Sequence, residues 1–112
     1  SLLVSKVLKV AERSQGTLRR QDDKDAFDIF RLLRAVQTSD LAAGLNHLLG
    51  DVLSSEVTAE AIKTFKNLFK DTSSTGVQMV VSHIRGIEPE DIISASCVEL
   101  SQDLIKALKI QN

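Results

Sequence analysis

Apolar residues recur along this chain at steps of three and four, and each run closes on a turn signal. Leu3, Val4, Val7, Leu8 and Ala11 fall on one stripe of a helix at about 100° per residue, and Gly16 follows as a stop. After the polar linker TLRRQ, Asp22, Asp23 and Asp25 crowd the start of a second run, where carboxylates meet free amides and the positive end of the helix dipole. Ala26, Ile29, Phe30, Leu33 and Val36 make its stripe, and Phe27 and Leu32 widen it enough to pack on two sides.

Four more runs follow. TSD offers an N-cap to a third helix carrying Leu41, Leu45, Leu48, Leu49 and Val52, with Gly50 either ending it early or sitting inside it. SSEVT opens a fourth, with Ala61, Ile62, Phe65, Leu68 and Phe69 on its stripe, and DTSSTG closes it. Val77, Val80, Val81 and Ile84 make a shorter fifth helix ended by Gly86. The sole proline, Pro89, sits ahead of Glu90 and Asp91 and predicts a sixth helix with proline in its first turn and Ile93, Cys97, Leu100, Leu104 and Leu108 on its stripe. No stretch alternates long enough for a strand. The expected class is all-α, about six helices in antiparallel stacked pairs, or a compact helical bundle.

Both histidines occupy the same place in NHLLG and SHIRG, 36 residues apart, as do Gly50 and Gly86. The same shift lays Leu41, Leu45 and Leu48 on Val77, Val81 and Ile84, and a shift of 35 lays Ala26, Phe30 and Leu33 on Ala61, Phe65 and Leu68. A helix pair therefore recurs, at a period typical of stacked helical repeats. His47 lies about 200° from Leu45 and His83 about 200° from Val81, so both point away from the apolar stripe. Stacked side by side, equivalent positions would stand about 10 Å apart. One zinc ion held at about 2 Å is then out of reach of both. Neither a metal nor a cofactor is expected.

The stretch LNHLLGDVLSSEVTAEAIKTFKNLF, a second helix, a short polar turn and a next helix with Ala and bulky apolar residues at repeat spacing, resembles the armadillo/HEAT class of helical repeats over about residues 2–110. A second similarity, in FRLLRAVQTSDLAAGLNHLLGDV, is to the small harmonin-homology helical bundles. The first resemblance implies that the second helix of each pair lines a concave surface where partner peptides or helices lie. Carried onto this chain, it makes Lys6, Lys9, Asn46, His47, Ser82, His83 and Arg85 the candidate partner-binding residues.

Composition narrows the rest. With 112 residues and 43% apolar side chains the chain is sized for one helical domain, 1–112, and because it begins with Ser it is expected to be part of a larger protein. Fourteen Lys+Arg against fifteen Asp+Glu leave a net charge of −1, so no global field draws it to nucleic acid or to a membrane. A local basic face remains: Lys63, Lys66 and Lys70 share one side of the fourth helix, and Arg31 and Arg34 hold the corresponding stretch of the second. Tyr and Trp are absent and all four Phe fall at core spacing, so the stacking platform of single-strand binders is missing. The single cysteine and the lack of any Asn-x-Ser/Thr site favour an intracellular location, cytoplasmic or nuclear. No glycine-rich phosphate loop, HExxH or GxSxG motif occurs, and Cys97 on an apolar stripe reads as a buried thiol. These features predict a non-catalytic protein-interaction or scaffolding module, with a nucleic-acid-binding helical domain as the alternative. The TSST segment, Thr72–Thr75, is a place where phosphorylation would act ahead of a helix start.

Overall fold

Six helices account for the periodic runs in a computed structural model that describes residues 2–13 and 19–108, with the side chains of residues 2–10 and 23–108. They are α1 (Leu2–Arg13), α2 (Arg19–Ala35), α3 (Thr38–Leu49), α4 (Ser55–Leu68), α5 (Thr75–His83) and α6 (Glu90–Ala107). The described residues contain no strand. Gly16, expected to stop the first helix, and the side chains of Ala11 and Asp22 lie outside the described residues.

Several boundaries differ from expectation for identifiable reasons. α2 begins at Arg19, three residues before Asp22, because Arg, Arg and Gln carry no helix-breaking signal. Asp25 is thereby placed inside the helix and turned inward, 5% exposed. α3 starts at Thr38 with Gln37 as its N-cap, so TSD is its first turn. Gly50 caps its end, and Val52, expected on the buried stripe, is 93% exposed in the turn that follows. Gly76 does not close the fourth helix but lies buried in the first turn of α5. Pro89 is itself the N-cap of α6, and on that helix Ser101, not Leu100, is fully buried. Its hydroxyl donates to the carbonyl of Cys97 at 2.6 Å, which removes the cost of burying it.

Helices three places apart along the chain pack on one another, α1 on α4, α2 on α5 and α3 on α6, although α1 packs most extensively on α2. Sequential contacts α1 to α2, α3 to α4 and α5 to α6 close the assembly, and α2 also touches α6. Stacked two-helix repeats would set α2 against α4 and α3 against α5, and neither pair is among the main packings of the described residues. The described helices form one compact all-α globule. One core runs through it, from Val7 and Val10 through Phe30, Phe65 and Phe69 to Val80, Cys97 and Leu104. Where α1, α3, α4 and Leu108 meet, the remaining void is only about 10 Å³. The repeat in sequence survives as equal burial: Ala26, Phe30 and Leu33 are buried, as are Ala61, Phe65 and Leu68.

Candidate functional sites

The seven residues placed on a shared concave surface belong to α1, α3 and α5 and their following turns. Among the described residues these three helices share no main packing interface with one another. The reason is the offset of three, which puts a different helix between them.

Lys6 is not a free contact. Its ammonium donates to Asp28 Oδ2 at 3.0 Å and Asp25 Oδ1 at 3.4 Å, joining α1 to α2. The Asp28 hydrogen bond leads in raising its pKa above the ordinary lysine value, with both carboxylates contributing against a smaller opposing effect of burial. Lys9, His47 and Ser82 are exposed, and Asn46 is half-buried. Arg85 Nη2 lies 3.7 Å from Glu90 Oε1 across the α5–α6 turn, an exposed pair worth little.

His83 reaches across to α2, where its ring meets Phe27 at 4.8 Å between centroids. The Arg31 guanidinium lies 6.0 Å from the same ring, so one residue from each candidate set shares Phe27. Arg34 covers Phe30 at 4.8 Å, with Nη1 3.7 Å from Glu88 Oε1. Beneath it, Cys97 is fully buried, and desolvation pushes its thiol up to about 12 against a smaller lowering by Arg34. The thiol therefore stays protonated at neutral pH and is a poor nucleophile.

The proposed basic face divides into three places. Arg31 and Arg34 sit on phenylalanine rings of α2, and Lys63 lies beside Glu56 and Glu60 on α4. Lys66 and Lys70 line a groove of about 190 Å³ against the end of α6, with Lys106 on the opposite rim.

Two features escaped the sequence pattern. The first is the α3–α4 turn, where Val52 and Leu53 are each 93% exposed and Val57, on the first turn of α4, is half-exposed. This turn is held in place. Asp51 Oδ1 accepts from the Leu53 N–H at 2.8 Å, the Asp51 carbonyl accepts from the Ser55 N–H at 2.9 Å, and the Ser54 hydroxyl donates to the Leu48 carbonyl at 2.9 Å. Two aliphatic side chains are thus pointed into water by a hydrogen-bonded frame, each forgoing about 1.5–3 kcal/mol of burial. The second is the α5–α6 turn, which exposes Ile87 and, at the start of α6, Ile92. Gly86 turns the chain there at φ +86°, a conformation open to glycine. Among the described residues no three His, Cys, Asp or Glu side chains group to hold a metal ion, and no helix is long and apolar enough to cross a membrane.

In comparisons with known proteins, no family model, no curated protein and no solved structure matches this chain.

Proposed function

We propose that this chain is a non-catalytic protein-interaction or scaffolding module of a larger intracellular protein, and that it holds its partner through the α3–α4 turn. The observation that carries this reading is the hydrogen-bonded frame around Asp51 that keeps Val52 and Leu53 in solvent. A loop with no partner gains by folding such side chains down, whereas a fixed apolar knuckle supplies the buried anchors from which most binding energy comes. His47, near the end of α3, flanks the turn and provides a polar rim. The lone buried cysteine and the absence of glycosylation sites support a reducing compartment.

The test is capture from a nuclease-treated lysate at low and high salt, comparing wild type with Val52→Ser/Leu53→Ser. Expected is a protein retained by wild type in both salts and lost from the double variant. Retention of the same proteins by both forms would overturn the reading. Capture that ends with nuclease treatment would turn it toward nucleic acid.

A further inference from the structure

We infer that the groove between the ends of α4 and α6 docks an acidic amphipathic segment of a partner protein. The segment would set an aliphatic side chain on Ile105 and bring carboxylates to Lys66 and Lys70. This surface is distinct from the α3–α4 turn: Ser55 and Lys66 stand at opposite ends of α4, roughly 16 Å apart along its axis.

The groove follows from the packing order. α3 and α5 each pack on both α4 and α6, which holds those two helices a step apart instead of against one another. What remains is an open groove of about 190 Å³. Phe69, itself buried, closes its base and Ile105, half-buried, lines its wall. Charge surrounds this apolar floor.

Lys66, on the last turn of α4, and Lys70, just past its end, both line this groove. Neither makes an ion pair or hydrogen bond among the described residues. The neighbouring acid, Asp71, feels the Lys70 charge but takes its hydrogen bonds from the loop: its Oδ1 accepts from the Ser73 N–H at 2.9 Å, the Ser73 hydroxyl at 2.7 Å and the Ser74 hydroxyl at 3.3 Å. Lys106 adds a third cation to the rim. An apolar floor between ammonium groups mismatches a sugar-phosphate strand, which needs cations along a continuous path, and Arg31 and Arg34 lie elsewhere, on α2. It matches a segment that alternates carboxylates with aliphatic side chains.

The experiment is fluorescence anisotropy with a labelled helical peptide of Glu, Leu and Ala that repeats Glu and Leu four residues apart. Its controls replace every Leu by Ala or every Glu by Gln. Wild type is expected to bind the parent peptide saturably, and both controls at least ten-fold more weakly. Lys66→Glu/Lys70→Glu should weaken the parent peptide at least ten-fold, and Lys66→Gln/Lys70→Gln should weaken it in the same direction with no reversed charge to disturb folding. Val52→Ser/Leu53→Ser should bind it as wild type does, so failure here and failure of the turn are read separately. No binding, equal binding by the lysine variants, or binding that survives removal of every Leu overturns the inference. So does tighter binding of a thymidine oligonucleotide, or of phosphatidylserine vesicles, through the same two lysines.

Discussion

A β-carbon placed on Gly76 would lie 2.6 Å from the carbonyl oxygen of Leu68 and 2.9 Å from its Cβ. The first turn of α5 therefore comes against the last turn of α4 at a distance only a hydrogen atom permits. The obstacle is backbone, which cannot rotate aside as a long side chain can.

Gly76→Ala is accordingly expected to destabilise the fold by about 1–3 kcal/mol, the usual cost of overpacking. At an open helical position the same change would gain up to about 1 kcal/mol. Gly44, with nothing within 4 Å of an added Cβ, is the internal control: Gly44→Ala should stabilise α3. Urea denaturation of both variants checks this, and a Gly76→Ala protein as stable as wild type would show that the two helix ends separate freely.

How much was legible in the chain differs by residue. The stripe of α4 was, since Ala61, Ile62, Phe65, Leu68 and Phe69 are all buried and each reports only its own helical phase. Val52 was not, because the 100° phase stops with the helix at Leu49 and says nothing of a side chain two residues past the cap. The start of α2 was misplaced because Asp22, Asp23 and Asp25 look like capping residues. Asp25 instead pairs with Lys6, nineteen positions away, a relation that no local spacing encodes. Of the groove, Lys66 and Lys70 were visible as neighbours on one face, but Lys106 joins them only through the packing of α6.

The Lys6 pairing makes a prediction of its own. Lys6→Met keeps the aliphatic stem and removes the charge, taking from Asp28 its 3.0 Å donor and from Asp25 its 3.4 Å contact with the ammonium. The expected loss is about 1.5–3 kcal/mol, as for a hydrogen bond to a charged group. If Lys6 served mainly to contact a partner, thermal unfolding of the variant would match wild type. The pH dependence has a definite sign. The folded-state pKa of Lys6 is raised, so its contribution is fully present below the ordinary lysine value of 10.5 and fades as pH rises beyond it.

Replacing the exposed pair should separate binding from stability. Val52 and Leu53 bury almost nothing, so Val52→Ser/Leu53→Ser is expected to change unfolding free energy by no more than about 0.5 kcal/mol. Phe30→Ala, at a fully buried position of α2, should cost about 3–5 kcal/mol. Urea titrations of the two variants make the comparison. A turn variant that lost 2 kcal/mol would mean that these side chains pack on the bundle, and the interaction proposal would lose its basis.

Cys97 supplies the last test. Burial lifts its thiol from 9.0 to about 12, because desolvation of the thiolate outweighs the smaller lowering by the Arg34 charge. Below pH 9 both folded and unfolded chains keep the proton, and the thiol adds no pH dependence. Between pH 9 and about 12 the unfolded chain releases it while the folded chain retains it, so the unfolded state gains and stability falls as pH rises. Cys97→Ala removes this contribution. Its unfolding free energy should be lower than wild type at pH 7 because of the small cavity, yet decline less steeply above pH 9, where the contribution of Lys6 still fades. Thiol labelling is the independent readout. At pH 8 an aromatic disulfide reagent should leave Cys97 untouched in the folded protein and react within minutes in urea. Rapid labelling of the folded protein would place the thiol at the surface and overturn the buried packing of α6 against α2.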